Sequence, residues 1–211
     1  MIAGVIASLF GFVLYVIDKL GYPGIFFLMA LQSFNIPLPS EVTMMFSGFL
    51  VFGGRFNFWA VVLIGALGNL VGAFSSYKLA GFLSGPAREK SKILKFLISD
   101  INLNLAEKWF EKRGEFSVFL GRMVPVISTF ISLPAGLAKM NLKKFLIATF
   151  FGSLIWSGFL AYMGYSLGEN WSVAMIYFRK FDYLILILII SGLIWWLRRH
   201  LRQFYRKKQL F

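Results

Sequence analysis

The sequence predicts an all-α protein that crosses a membrane several times. Of the 211 residues, 58% are hydrophobic and 18% are aromatic, whereas soluble domains are roughly 45–50% apolar. Several apolar runs approach the roughly 20 residues that a helix needs to cross a bilayer. Two further apolar stretches are broken by prolines, which a continuous helix does not tolerate. We therefore predict about four spanning helices and two opposed Pro-broken re-entrant hairpins in an inverted repeat, as one transmembrane domain over residues 1–211.

Composition also narrows the chemistry. The chain has no cysteine, and His200 is its only histidine, so thiolate or histidine metal clusters and Ser-His-Asp catalysis are not available. We expect no metal, no cofactor and no catalytic residues. The net charge of +13 raises the question of nucleic acid, but no nucleic-acid motif accompanies it. Cytoplasmic Lys and Arg that set membrane orientation explain the excess better.

The first part of the chain predicts one span and one hairpin. Residues 4–20 are a continuous apolar run and form the first predicted span. Residues 22–56 form the first predicted re-entrant hairpin, in which apolar arms at 23–36 and 42–53 flank a segment with two prolines. At 1.5 Å per residue the arms reach only about 21 Å and 18 Å, less than the roughly 30 Å hydrocarbon core. Neither arm can span by itself.

The middle of the chain alternates between membrane and cytoplasm. Residues 57–83 predict a full span. Residues 84–113 predict a basic cytoplasmic loop, and its second half is typical of an amphipathic surface helix. Asn102 or Asn104 would cap that helix, and Gly114 would end it.

The last part repeats the pattern. Residues 114–141 form the second predicted re-entrant hairpin, with two prolines and an arginine among apolar residues. Residues 142–168 and 181–197 predict two more spans, and residues 198–211 a cytoplasmic basic tail.

Charge distribution decides between hairpins and single kinked spans. If both Pro-broken stretches are hairpins, then 84–113, 139–144 and the tail share one side, which carries sixteen of the 22 Lys and Arg residues, against four on the other side. If both stretches span once, the basic loop and the basic tail lie on opposite faces. The positive-inside rule favours hairpins. We therefore expect a multi-pass protein of a bacterial-type plasma (inner) membrane, with both termini cytoplasmic.

The two halves share a weak internal pattern. A Pro-broken hairpin leads to a glycine, Gly48 or Gly136, and then to a span that carries Gly68-Asn69 or Gly152-Ser153. Inverted repeats with broken helices are typical of transporters.

Arg122 and Glu41 are the charged residues of the two hairpins. An arginine at the centre of a bilayer costs ~2.5–3.5 kcal/mol on insertion scales, so it marks a functional site by default. One interpretation is a structural ion pair that joins the hairpins. The other is a phosphate site, because hydroxyls and backbone groups of the broken segment surround the arginine.

Three motifs carry a resemblance to a known family. They are Pro-x-Pro-Ser-Glu at 37–41, Gly-Arg-x-x-Pro at 121–125 and Ser-Leu-Pro-Ala-Gly at 132–136, followed by Met140. Over about residues 20–170 the chain resembles the DedA family, also called VTT or SNARE-associated domain proteins. The resemblance implies two opposed re-entrant hairpins and lipid transport, with members linked to undecaprenyl phosphate recycling and to phosphatidylethanolamine flipping, often with proton coupling.

Two positions depart from the family pattern. Members often carry a second acid where this chain has Gln32, and usually a second arginine where it has Ser128. Together these changes remove one opposite-charge pair, which leaves Glu41 and Arg122. Our hypothesis makes Glu41 the coupling or gating acid and Arg122 the head-group ligand.

The sequence thus predicts a flippase for a phosphate-bearing lipid, first of all undecaprenyl phosphate, with protons as the candidate coupling ion. The alternatives are a phosphatidylethanolamine flippase, a passive scramblase or a membrane-embedded lipid phosphatase. The phosphatase lacks the usual His, Cys or clustered Asp nucleophiles. The candidate substrate-binding and transport residues are Gln32, Pro37, Pro39, Ser40, Glu41, Arg122, Pro125, Ser128, Thr129, Ser132 and Pro134.

Overall fold

A computed structural model describes residues 2–36, 38–84, 100–125 and 127–170. The chain divides into two compact units, Met1–Gly168 and Glu169–Phe211, and only the first two residues of the second unit are described. The described residues are helical, with no β-strand among them, which confirms the all-α class. The predicted span at 181–197, the basic tail at 198–211 and residues 85–99 of the predicted loop lie outside the described residues.

The first half begins with two longer helices on either side of two short ones. In chain order they are α1 (Ile2–Leu20), α2 (Tyr22–Ser33), α3 (Ser40–Phe52) and α4 (Phe58–Ser84). Gly21, with a φ of 62°, separates α1 from α2, and Gly54, with a φ of 73°, lies in the turn between α3 and α4. Both angles belong to the left-handed region that glycine adopts without strain. The short arms predicted for the first hairpin are therefore two separate helices, α2 with 12 residues and α3 with 13.

The second half contains a more broken segment. Its elements are α5 (Asp100–Gly121), α6 (Ile127–Phe130), α7 (Ser132–Leu137), α8 (Leu142–Leu167) and a 3₁₀ turn (Gly168–Asn170). The Asn141 side chain accepts a 3.2 Å hydrogen bond from the Lys144 backbone N–H and so caps the start of α8. The number of spans and the re-entry of the hairpins stay predictions.

The predicted end of the surface helix is confirmed, and its predicted start is wrong. Helix α5 consists of two helical pieces joined at Arg113, directly before Gly114, where the backbone is not helical and φ is −139°. The first piece begins at Asp100, so Asn102 and Asn104 lie inside it rather than at its start. A Cβ on Gly114 would lie 3.2 Å from the Met140 Sδ, so this glycine also provides room for packing at the kink.

Two of the described helices, α4 with 27 residues and α8 with 26, are long and apolar enough to cross a membrane. Each helix exposes one face of large apolar side chains. These are Leu63, Leu67, Val71 and Phe74 on α4, and Ile147, Phe151, Ile155 and Phe159 on α8. The opposite faces bury small and polar residues such as Gly65, Gly68, Gly152 and Ser153. Large apolar residues outside and small residues at helix contacts are what lipid surroundings favour.

Each half of the chain makes a close backbone contact with the other half, and the two contacts lie at equivalent positions. A Cβ on Gly48 of α3 would lie 2.0 Å from the Ala161 carbonyl oxygen of α8, and a Cβ on Gly136 of α7 would lie 2.4 Å from the Tyr77 carbonyl oxygen of α4. Tyr77 and Ala161 are each the twentieth residue of their helix. The second arm of each Pro-broken segment therefore packs, backbone against backbone, on the long helix of the other half.

A second pair of contacts stays within each half. A Cβ on Gly68 would lie 2.5 Å from the Phe26 carbonyl oxygen of α2, and a Cβ on Gly152 would lie 2.8 Å from the Phe119 carbonyl oxygen of α5. Gly68 and Gly152 are each the eleventh residue of their helix. Paired contacts of this kind support the inverted repeat predicted from the sequence.

The close contact at Gly48 can be tested by one methyl group. We expect Gly48→Ala to lower the free energy of unfolding by about 1–3 kcal/mol, because the added Cβ overpacks a backbone contact. Thermal unfolding of the detergent-solubilised protein measures the change. Gly158→Ala is the matched control, since its Cβ meets nothing closer than the Val62 Cγ1 at 3.7 Å. Equal unfolding temperatures for the two variants would contradict the contact.

Candidate functional site

The C-terminal end of α2 meets the broken segment of the second half. The Gln32 Nε2 donates a 2.9 Å hydrogen bond to the Thr129 Oγ1, and the Asn35 Nδ2 donates a 2.7 Å bond to the Thr129 carbonyl oxygen. The Ser76 hydroxyl of α4 donates to the Asn35 Oδ1. Irregular backbone persists at membrane depth only where protein or a wet cavity satisfies its polar groups. Here side chains of the other half satisfy them.

Asn35 was not among the predicted site residues. Its φ of 74° lies in the left-handed region, which asparagine tolerates better than most residues. This conformation turns the chain after α2, and the same side chain then joins α4 to Thr129. An asparagine two residues before a Pro-x-Pro segment is the sequence signal that could have identified it.

Arg122 lies at the centre of this junction. It follows directly after α5 and is 2% exposed. Its Nη1 donates 2.9 Å hydrogen bonds to the Ser33 Oγ and to the Ser128 carbonyl oxygen, and its Nη2 donates a 2.6 Å bond to the Ser132 Oγ. Ser33, which the sequence analysis missed, is fully buried at the end of α2. Its only sequence signal was its place next to Gln32.

The partners of Arg122 are neutral. Across the described part of the chain the ion pairs are Arg55 with Asp18 and Lys144 with Glu115, all on exposed side chains. Arg122 has no carboxylate partner there, so the structural ion pair with Glu41 is not formed in this structure. Glu41 lies in the first turn of α3 and is half-buried. Neutral hydrogen-bond acceptors do not cancel the positive charge of a buried cation, so this charge remains available to pair with an anion.

Arg122 also keeps hydrogen-bonding capacity. A guanidinium has five N–H donors in a fixed fork, and three of them are used by Ser33, Ser128 and Ser132. The Nε has no partner among the described residues. Such a fork suits phosphate oxygens, which accept short, charge-assisted hydrogen bonds from arginine.

One position that departs from the family pattern bonds to the sequence neighbour of the other. Gln32 bonds to Thr129, which directly follows Ser128. A neutral hydrogen bond therefore holds Gln32 at this junction.

The other predicted residues make no hydrogen bond to Arg122 in the part of the chain that the structure describes. Ser40 is 4% exposed at the start of α3, where Pro39 is the N-cap residue with an extended backbone. Pro125 and Pro134 are half-buried in the broken segment. Pro37 lies outside the described residues. The site thus unites Arg122, Ser128, Ser132, Gln32 and Thr129.

Comparison with known proteins gives the family. Residues 38–166 match the VTT domain, and the chain belongs to the VTT domain family, which confirms the resemblance to DedA proteins. A relative named as a membrane protein and the two long apolar helices of this chain both support a location in a membrane. No solved structure matches.

Three relatives illustrate the similarity. An "Alkaline phosphatase-like protein" of Lactococcus lactis is 36% identical over 86% of either chain. An "Undecaprenyl phosphate transporter A" of Bacillus subtilis is 30% identical over 78% of this chain and 80% of its own. A protein of the same name from Staphylococcus aureus is 24% identical over 91% of this chain and 96% of its own.

The bond between Gln32 and Thr129 can be tested by a double-mutant cycle. We expect Gln32→Ala and Thr129→Val to couple by about 0.5–1.5 kcal/mol in the free energy of unfolding, because either change removes the same buried hydrogen bond. Ser75→Ala replaces Thr129→Val in the control cycle, since the Ser75 hydroxyl bonds to the Val71 carbonyl of its own helix. Additive effects in both cycles would argue against the junction.

Proposed function

We propose that this protein is a lipid transporter (flippase) that moves a phosphate-bearing lipid between the leaflets of a bacterial-type plasma membrane. The observation that carries the proposal is Arg122, a buried cation with neutral partners and an unused Nε donor. Two relatives named undecaprenyl phosphate transporter A support undecaprenyl phosphate as the first candidate substrate. Phosphatidylethanolamine, which also carries a phosphate, is the second.

The site addresses the main obstacle to crossing, which is the charge of the head group. A phosphate in hydrocarbon is strongly disfavoured unless a counter-charge and hydrogen bonds replace its water. Arg122 supplies the charge, and the hydroxyls of Ser33 and Ser132 already face it. Each hydroxyl now accepts a hydrogen bond from the guanidinium. Because a hydroxyl can also donate, each could instead donate a hydrogen bond to a phosphate oxygen. The lipid tail can remain in the bilayer against the apolar outer faces of the helices.

The proposed topology places this site between the leaflets. With two re-entrant hairpins that enter from opposite faces and both termini in the cytoplasm, the junction of α2 with the second broken segment lies near the midplane. Sites near the midplane, at the interface of two repeats, are typical of secondary transporters.

Glu41 is the proposed coupling or gating acid. It lies in the first turn of α3, which packs on α8 through Gly48 and Ala161. A carboxylate near a helix N-terminus is stabilised by the helix dipole, so gain or loss of its proton changes how favourably α3 sits in the closed bundle. Protonation could thereby link head-group movement to a proton gradient.

Arg122→Ala tests the ligand role. We expect transport of undecaprenyl phosphate in proteoliposomes to fall roughly 10–100-fold, because a hydrogen bond to a charged group is worth about 1.5–3 kcal/mol. Arg55→Ala removes the same charge from an exposed ion pair with Asp18 and should transport like wild type. Unchanged transport in Arg122→Ala would refute the ligand role.

Glu41→Gln tests proton coupling. At two imposed pH gradients the wild-type transport rate should differ, whereas the rate of Glu41→Gln should be the same at both, because the amide cannot take up a proton. Glu115→Gln removes an exposed carboxylate that pairs with Lys144 and should keep the dependence on the gradient. A gradient response that survives in Glu41→Gln assigns coupling to another group.

A membrane-embedded lipid phosphatase is the second candidate, favoured by the phosphatase-like name of the Lactococcus lactis relatives. Within the described ranges no group of three His, Cys, Asp or Glu residues could hold a metal ion. The same vesicles distinguish the candidates. Release of inorganic phosphate that Arg122→Ala abolishes would support the enzyme. Equal lipid movement in wild type, Glu41→Gln and Arg122→Ala, without phosphate release, would indicate a passive scramblase.

A further inference from the structure

Helix α8 carries three buried hydroxyls that no function assigned above uses. Thr149, Ser153 and Ser157 recur every fourth residue, so they follow one face of the helix. Their exposures are 0%, 1% and 0%. None of the three hydroxyl oxygens has a hydrogen-bond partner among the residues that the structure describes. We call these residues the α8 hydroxyl row.

Other helical hydroxyls in this chain behave differently. The Thr43 hydroxyl donates to the Pro39 carbonyl oxygen at 3.3 Å, Ser47 to Thr43 at 2.7 Å, and Ser75 to Val71 at 3.0 Å. Such bonds to the carbonyl four residues earlier are the usual way in which a helix satisfies a hydroxyl. The α8 hydroxyl row makes neither these bonds nor bonds to a neighbouring helix.

Packing does not explain the row. The equivalent contacts of α4 and α8 align Tyr77 with Ala161 and Gly68 with Gly152. By the same alignment, the α8 hydroxyl row corresponds to Gly65, Asn69 and Ala73 of α4. Gly65 and Ala73 are buried without any hydroxyl. Helix α4 therefore packs at two of the three equivalent positions with residues that have no polar side chain, so packing does not require hydroxyls there.

Two contacts locate the row relative to the rest of the first unit. Gly152, the residue before Ser153 in the middle of the row, comes so close to Arg122 that an added Cβ would be 2.9 Å from the arginine Cβ. At the Ser157 end, the Ser157 Oγ lies 3.4 Å from the point that a Cβ on Gly65 would occupy, and the Met44 Sδ lies 2.7 Å from the same point. Met44 is one turn beyond Ser40 and Glu41 in α3. Helix α8 thus contacts the stem of Arg122 next to the middle of the row, and helices α3 and α4 at the Ser157 end.

We propose that the α8 hydroxyl row is a second, uncharged wall of the substrate site, which donates hydrogen bonds to phosphate oxygens while Arg122 holds their charge. This inference rests on the proposed function and adds the residues that would receive the head group beside the arginine. Hydroxyls donate to phosphate without adding net charge, so the head group can be held and still released. A carboxylate in the row would repel the head group, and the row has none.

The observed arrangement, in which the row is buried between helices and which we call the closed bundle, itself favours this role. Buried hydroxyls without partners destabilise the state in which they lie buried, so the hydrogen bonds missing from the closed bundle would be gained when it opens to a ligand. Among the described residues, the Arg122 Nε and the Trp156 Nε1, next to Ser157 in the sequence, also lack a partner. All five groups can act as donors, which matches a ligand made of acceptor oxygens.

The absence of cysteine from the chain makes accessibility a clean test. Thr149→Cys, Ser153→Cys and Ser157→Cys each introduce one thiol, which the anionic reagent sulfonatoethyl methanethiosulfonate can modify in the reconstituted protein. Ser47→Cys is the matched control, because Ser47 is equally buried but bonds to its own helix. We expect the row thiols to react at least about tenfold faster than the control thiol, a difference of about 1.4 kcal/mol in barrier.

Protection by ligand identifies what the row binds. Undecaprenyl phosphate should slow modification of Ser153→Cys, and undecaprenol, which has the same tail but no phosphate, should not. If inorganic phosphate protects as well as the lipid does, the row serves a free anion and the lipid assignment is overturned. If neither phosphate compound protects, the row is not a phosphate site.

Alanine variants provide an independent measurement. Ser157→Ala gives α8 the residue that α4 has at the equivalent position, Ala73, so it should fold normally. We expect Ser153→Ala and Ser157→Ala to weaken binding of undecaprenyl phosphate about 3–10-fold each, because each loses one hydrogen bond to the ligand. Wild-type binding in both variants, with binding lost in Arg122→Ala, would overturn the row and leave the proposed function intact. Wild-type binding in Arg122→Ala as well would overturn both.

Discussion

The structure depends on how Arg122 is kept charged and buried without an acid. Removing a guanidinium from water costs several kcal/mol even after relaxation, and this cost must be offset by well-placed acceptors. Two serine hydroxyls and one backbone carbonyl supply them, from α2, from α6 and from the start of α7. The breaks between α5, α6 and α7 make this convergence possible.

Glycines set the distances at this junction. A Cβ on Gly72 would lie 2.9 Å from the Ser33 Cβ and 2.1 Å from the Ala30 carbonyl oxygen, and a Cβ on Gly152 would lie 2.9 Å from the Arg122 Cβ. Such close approach of helix backbones is how helices associate in lipid, where the hydrophobic effect does not drive association. Ser33 and Arg122 come within hydrogen-bond distance because each of the long helices, α4 and α8, has a glycine without a side chain beside them. The same glycines therefore determine both how closely the long helices pack and how the groups of the site are positioned.

Local patterns were enough to predict the class of the protein and much of the site. The all-α class follows from apolar run lengths, and the separate arms α2 and α3 follow from the prolines between them, because both features act within a few residues. Ser128 and Ser132 were predicted as partners of Arg122 since they follow it in the same segment. The match to the VTT domain confirms the resemblance that these motifs indicated.

Features that depend on tertiary contact were not predictable. Met140 packs against Gly114 at the kink of α5, a contact that residue spacing does not show. Ser33 comes from the other half of the chain, so sequence distance hid it. An ion pair between Glu41 and Arg122 was a reasonable alternative for two charges in apolar hairpins, but neutral groups take its place around Arg122. The α8 hydroxyl row was not among the predicted residues, because only the structure shows that its hydroxyls lack partners among the described residues.

The central claim is that Arg122 offers a free donor to phosphate, and arginine side-chain NMR observes that donor directly. The Nε–H resonance of Arg122, identified by its loss in Arg122→Gln, can be followed in ¹⁵N-arginine-labelled protein during titration with undecaprenyl phosphate. We predict that its proton resonance moves downfield as the hydrogen bond to a phosphate oxygen forms, and that undecaprenol leaves it in place. Binding of undecaprenyl phosphate that leaves this resonance unmoved would contradict the account.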